Sequence, residues 1–365
     1  MKFEQVTRST PGQYISQVGA LRYLKDKLLG FQKPYMITGE KSYHAFLEYC
    51  PDDFSHIPVL RYDHTSSHED ADRLSNLSKD ADVIIAIGGG KVCDTAKLVA
   101  ERLDCELIMV PTVLGTCAPT SAVVAVYYPN KVFKQIDYIK RMPFCCLVDL
   151  ELLVHSPKEY FIGGICDTLV KWYEAESITR HVQGYLEANV ELGLAAAKVT
   201  QRILLRDTPK ALKDFDDFNA SEDFKRIVDT IFNISGAVGG FACEYGRISG
   251  AHAVHNALSL FEETHRIQHG VKVSYGLLIQ LCAMKEWHEV KRLIPFFAQN
   301  KFIYAWKQLN IEEPMESAVK KMAQFAASHK ETFRLAVPNI KDEDIIEATY
   351  ALEKLVNELE KCSEI

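Results

Sequence analysis

No basic excess marks this chain. Its 365 residues carry 42 Lys and Arg against 49 Asp and Glu, a formal net charge of −7, and no basic run of the kind that tracks a phosphodiester backbone. A nucleic-acid partner is therefore not expected. No apolar stretch approaches the roughly 20 residues that cross a bilayer, and MKFEQVTRSTPGQYISQ at the start lacks the apolar core of a secretory leader. Neither a membrane nor export is expected, and the chain reads as cytoplasmic. CxxC spacing is missing too: ten cysteines lie scattered through a long chain, which excludes a small disulfide scaffold and reads as reduced thiols. Internal repeats and low-complexity segments are also lacking.

With 47% hydrophobic and 25% charged residues, the chain is globular and long enough for two domains of ordinary size. From Pro34 to Val148, short β-rich runs alternate with helical ones, the pattern of a mostly parallel sheet with helices on its faces. Strands are expected at 34–38, 58–61, 82–87, 106–110 and 144–148, with a helix at 92–103 and a capping box at Ser66-x-x-Glu69. Segments 122–128 and 132–139 read as an inserted hairpin. Beyond Asp149 the strand signals fade, and helices are expected at 186–204, 224–238, 271–287, 314–325 and 342–359. The fold expected is an α/β domain with a Rossmann-like sheet over residues 1–154, followed by an all-α domain over residues 155–365.

Chemistry-bearing residues fall in four stretches. In IIAIGGGKVCDTAK, a buried strand ends in Gly88, Gly89 and Gly90, and a helix follows through Lys91 and Asp94. Free N–H groups and the positive end of the helix dipole suit a pyrophosphate there, while tight packing alone would also explain the glycines. Neither GxGxxG nor GxxxxGK[ST] is present. PTVLGTCAPTSA, residues 111–122, leaves the next strand rich in hydroxyls and reads as a ligand loop or a hydroxyl-capped surface loop. Glu40 ends an earlier strand, where a carboxylate can take an adenosine ribose and repel a 2′-phosphate, or simply be solvated.

In GGICDTLVKWYEA, residues 163–175, Asp167 stands among apolar neighbours and needs a partner. Finally, SGAHAVHNALSLFEETHRIQHG, residues 249–270, holds four of the twelve histidines. Ser249 is placed to cap a helix on which His252 and His255 share a face, with His265 and His269 in a loop beyond. Imidazole is the commonest transition-metal ligand and general base. Asp167, His252 and His269 together would leave a metal coordination position open, though their spacing matches no short metal motif.

These four colinear segments resemble the iron-containing, or group III, alcohol dehydrogenases, in the glycerol dehydrogenase branch, and cover most of the chain. The resemblance implies an N-terminal domain binding NAD, with NADP as the alternative, and a C-terminal helical domain holding a metal. It makes Asp167, His252 and His269 the ligands of zinc, with iron as the alternative, and puts His255 beside them in proton relay or substrate contact. It places the dinucleotide near Gly88, Gly89, Gly90, Lys91, Asp94, Thr112, Gly115, Ser121, Val123 and Tyr127, with Glu40 at the ribose. Homo-oligomers and a small alcohol, polyol or hydroxy-acid substrate are implied as well. One position departs from the glycerol dehydrogenases: where they carry an aspartate facing the polyol, this chain has Cys117. A thiol cannot accept hydrogen bonds from a diol as a carboxylate does, which favours a branch similar to hydroxycarboxylate dehydrogenases. Three other readings are glycerol dehydrogenase proper, a lyase similar to dehydroquinate synthase, for which Lys171, Arg180 and Arg247 are too scattered a basic set, and a nucleotide-binding module without catalysis.

Overall fold

The structure, a computed structural model, describes residues 6–362. Its N-terminal region is built on a six-stranded sheet, β1 Gln13–Gln17, β2 Pro34–Thr38, β3 Val59–Arg61, β4 Val83–Gly88, β5 Glu106–Pro111 and β8 Cys145–Asp149, in the order β1-β8-β5-β4-β2-β3. All five pairings are parallel. Central β4 is buried at all six positions, which is why it reads as an unbroken apolar run: helices cover both faces of a parallel sheet. The expected strands all form. β1, whose sequence QYISQ carries no strong apolar alternation, was not expected, and it becomes a strand by pairing along β8 from Gln13↔Cys145 to Gln17↔Asp149. β6 Val123–Tyr127 and β7 Phe133–Tyr138 make the separate antiparallel hairpin.

Helices fill the rest, with several corrections to the expected boundaries. Ser67, not Ser66, caps the His68–Leu77 helix, accepting from Asp70 N at 3.1 Å. Ser66 is instead buried with φ 60° and bonds the Ala125 carbonyl. The single helix expected over 271–287 is two, His269–Ala283 and Trp287–Gln299. The one over 186–204 runs further, Ala188–Asp216, with Pro209 inside it. The stretch 224–238 breaks into Glu222–Asp229, a π turn at Thr230–Ile234 and Ser235–Ala242. Contacts divide the chain into two compact units, one of Thr7–Phe161 with Lys210–Gly240, the other of Ile162–Pro209 with the chain from Phe241 onward. The first contains the whole sheet, and a phenylalanine cluster of Phe161, Phe215 and Phe224 packs in its core. The second is helical.

Candidate active site

In the helical unit, three helices contribute one chemical group each. Asp167 lies on Lys158–Thr179, His252 on Gly250–Leu258, and His269 is the first residue of His269–Ala283 rather than a loop residue. Asp167 Oδ1 is 3.4 Å from His269 Nε2 and 3.7 Å from His252 Nε2, and one donor atom from each side chain falls within 4.8 Å of the others. Asp167 and His252 are buried, while the His269 side chain stays 43% exposed. Gly270 makes the approach possible. A Cβ there would overlap the Gly163 carbonyl oxygen and come within 2.8 Å of Asp167 N, so backbone packs on backbone and His269 is set beside Asp167.

The cluster fits a cation. Buried Asp167 Oδ1 accepts no hydrogen bond, a costly state for a carboxylate unless positive charge is nearby. Burial alone would raise its pKa, but Lys171 and then the two histidines hold it well below the ordinary carboxylate range. His252 Nδ1 donates to Glu174 Oε2 at 2.7 Å, so Nε2 is the ring nitrogen left for a metal, and it faces Asp167. One carboxylate oxygen and two imidazole nitrogens are donors that suit zinc or iron(II).

Glu174 is the functional residue that sequence reasoning missed. It is wholly buried, and its second oxygen accepts from Ser249 N at 2.7 Å and His252 N at 3.1 Å. The expected Ser249 cap is thereby corrected: Ser249 Oγ bonds Ser177 and Gln280 instead. Glu174 and Gln280, whose Oε1 accepts from Ala251 N at 2.8 Å, cap the helix from outside. The available signal was a glutamate seven residues after Asp167, two turns on along the same helix face.

His255 is half-buried and meets His269, with His255 Nε2 3.0 Å from His269 Nδ1. Burial, then His269, Lys272 and His252, push its pKa well below the ordinary histidine value. His265 points away, its Nε2 on the Ser259 carbonyl oxygen.

In the sheet-containing unit, predicted cofactor residues Glu40, Gly88, Gly89, Gly90, Lys91 and Thr112 lie at or just after the carboxyl ends of β2, β4 and β5, while Val123 and Tyr127 lie on hairpin strand β6. Gly88 closes β4, and a Cβ there would come within 2.6 Å of Val92; one on Gly89 would come within 2.8 Å of Val113. Packing therefore accounts for these two. Gly90 opens the 14-residue Gly90–Leu103 helix, whose N-cap Gly89 offers no side chain and whose first turn has no acidic residue. That positive end is free of built-in counter-charge. Lys91 reaches over the Tyr127 ring at 5.3 Å, and burial followed by Lys131 lowers its pKa. Thr112 is buried and donates its N–H to Gly88 O at 3.3 Å. Gly115, Cys117 and Ser121 follow in the next loop, Gly115 against Tyr160. Glu40 begins the Glu40–Tyr49 helix and is paired with Arg61 at 3.0 Å. Asp94 is used by the fold: its oxygens accept from Lys97 Nζ and Ala125 N, both at 3.1 Å. Buried Lys97 also donates to Val123 O at 2.7 Å, so the pair ties the helix to β6.

A parallel sheet with an uncapped glycine turn at strand ends, and a carboxylate–imidazole cluster in a helical unit, define a class: metal-dependent dinucleotide enzymes. The comparisons make it particular. A family model described as iron-containing alcohol dehydrogenase matches residues 11–150. Hydroxycarboxylate dehydrogenase A of Escherichia coli (strain K12) is 32% identical over 276 residues, 74% of this chain and 76% of that protein. Glycerol dehydrogenase of Thermotoga maritima is 28% identical over 352 residues, 94% of this chain and 96% of that one. The crystal structure of glycerol dehydrogenase from Schizosaccharomyces pombe superposes with a TM-score of 0.87 at 22% identity, covering 100% of this chain and 95% of that one. The chain belongs to the iron-containing alcohol dehydrogenase family, and it is a metal-dependent, NAD(P)-linked oxidoreductase acting on CH–OH groups. Among the described residues, no helix is long and apolar enough to cross a membrane.

Proposed function

We propose that the protein interconverts a small 2-hydroxy acid and its 2-oxo acid, with NAD as the hydride carrier and zinc at Asp167, His252 and His269. The observation that carries the metal assignment is the convergence of two imidazole nitrogens on Asp167 Oδ1, which accepts no hydrogen bond. When bound, zinc supplies Lewis acidity that lowers the pKa of an alcohol, and nicotinamide supplies the hydride acceptor. Glu174 holds His252 in the tautomer that presents Nε2, and His255 adjoins His269 where a proton can be passed on. The dinucleotide is assigned to residues 1–154, with its phosphates on Gly90 and Lys91, its ribose at Glu40, and Gly88, Gly89, Thr112, Gly115, Ser121, Val123 and Tyr127 around it. Asp94 acts there through β6, which it anchors. The metal and substrate are assigned to residues 155–365, and Cys117, in the hydroxyl-rich loop, is assigned to substrate choice.

A hydroxy acid is favoured over a polyol by charge. Lys171 acts on Asp167, and Lys272, only 5% exposed, acts on His255, while Cys117 stands where the glycerol dehydrogenases carry an acid. The relative named hydroxycarboxylate dehydrogenase A points the same way. Free thiols throughout the described chain suit a cytoplasmic protein, and a homo-oligomer is proposed with the family.

The test is a metal analysis together with a screen of NAD and NADP against polyols, simple alcohols and 2-hydroxy acids. One equivalent of zinc and turnover of hydroxy acids are expected. His269→Ala should lose metal and activity together while the cofactor still binds. Full metal content and normal turnover in that variant would overturn the ligand set, and activity confined to diols would overturn the substrate.

A further inference from the structure

Beyond the three donors, a line of hydrogen bonds leads from His269 to a carboxylate that no role above uses. His269 Nδ1 is 3.0 Å from His255 Nε2, and the rings meet edge to face with centroids 4.3 Å apart. His255 Nδ1 is 3.0 Å from Asn256 Oδ1, and Asn256 Nδ2 donates to Glu331 Oε2 at 3.0 Å. Thr332, the next residue, donates to the Ser249 carbonyl oxygen at 2.7 Å, which pins this segment to the start of the His252 helix.

The contact between two imidazole nitrogens has no direction of its own, because either can carry the shared proton. The far end decides. A carboxylate only accepts, so Asn256 must turn its NH₂ to Glu331 and its carbonyl oxygen to His255. His255 must then hold its single ring proton on Nδ1 and accept at Nε2. His269 in turn must carry a proton on Nδ1, which leaves Nε2, 3.4 Å from Asp167 Oδ1, as the nitrogen able to ligate. If Asn256 were reversed, every proton would shift and His269 Nε2 would carry a hydrogen, unable to ligate.

We propose that Glu331, acting through Asn256 and His255, is a positioning residue that fixes the metal-competent tautomer of His269, as Glu174 does directly for His252. The two histidines thus have separate carboxylate supports, one immediate and one three links away. The inference rests on the metal reading above, and its test is designed to fail independently of it.

The experiment compares wild type with Glu331→Met, Glu331→Gln and the double variant Glu331→Met/Asn256→Asp, after confirming by circular dichroism that each is folded. In metal-stripped protein with ¹⁵N-labelled histidine, the ring nitrogens of His255, which touch only Asn256 and His269 in this line, should report the Nδ1–H tautomer in wild type and a mixture in Glu331→Met. Zinc affinity, read by competition with a chromophoric chelator, should fall about tenfold in Glu331→Met, the lower end for loss of a ligand's outer support. Glu331→Gln, which retains an acceptor oxygen, should lie between them. In the double variant, a carboxylate at position 256 accepts directly from His255 Nδ1, so tautomer and affinity should both return, a rescue that a general packing role for Glu331 would not give. Unchanged ring signals and zinc affinity in Glu331→Met would overturn the proposal. If wild type bound no zinc but the ring signals shifted as described, the relay would stand and the metal assignment would fall.

Discussion

Asp167 sits in the middle of an apolar helix with one oxygen unbonded, and a buried charge in that state is stable only where positive charge compensates it. Asp94 has the opposite environment. Its two oxygens are consumed by Lys97 and the β6 backbone, so a carboxylate in a glycine-rich phosphate-type turn serves the fold. On the substrate assignment proposed above, Cys117 is where substrate choice can be altered at one residue. Cys117→Asp should raise kcat/KM for glycerol relative to a 2-hydroxy acid by roughly tenfold or more, the worth of about 1.4 kcal/mol of hydrogen bonding. Steady-state kinetics on both substrates checks this, and an unchanged ratio would remove Cys117 from the substrate site.

At the scale of elements, one backbone contact sets how Asp167 and His269 sit together. Helices Lys158–Thr179 and His269–Ala283 touch at Gly163 and Gly270, with no side chain between them. Gly270→Ala should lower stability by about 3 kcal/mol or more, the upper range for overpacking, since backbone cannot move aside as a side chain can. It should also weaken zinc binding by pushing His269 from Asp167. Gly239, within the Ser235–Ala242 helix, has nothing within 4 Å of the same position, and Gly239→Ala should be neutral or stabilising by up to about 1 kcal/mol. Urea midpoints of the two variants make the comparison, and equal effects would refute the close approach.

For the whole molecule, pH provides a separate test of the cores. Burial pushes the Cys93 and Cys282 thiols up to about 12, while unfolded cysteine titrates near 8.5. Their folded pKa values are raised, so their contribution is fully present below the unfolded value and is lost as pH climbs toward 12, because only the unfolded chain releases those protons. Stability should fall above pH 9 by about 1.4 kcal/mol per pH unit for each thiol, and half-buried Tyr14 and buried Tyr275, also raised, steepen the loss beyond pH 10. Urea unfolding at pH 8 and 10.5 in reductant measures it. A Cys93→Ala/Cys282→Ala variant with the same pH slope as wild type would contradict this origin.

By itself, the sequence determined the parallel sheet, the helical remainder, the glycine turn and the residue types of the candidate centre. Strand burial and helical periodicity are local patterns, and the four motifs keep their chemistry in short runs. Helix ends were less legible, because Glu174 and Gln280 cap the His252 helix from elsewhere in the chain, and β1 is a strand only by virtue of β8. The resemblance named Asp167, His252 and His269 together, and the tertiary structure brings them within reach of one another; it alone decided that His255 turns to His269. It also decided the supports: Glu174 at one histidine, and Glu331 at the end of the other's hydrogen-bond chain. The physical reason is that a lone pair's direction depends on the partner of the opposite ring nitrogen, and that partner is brought near only by folding.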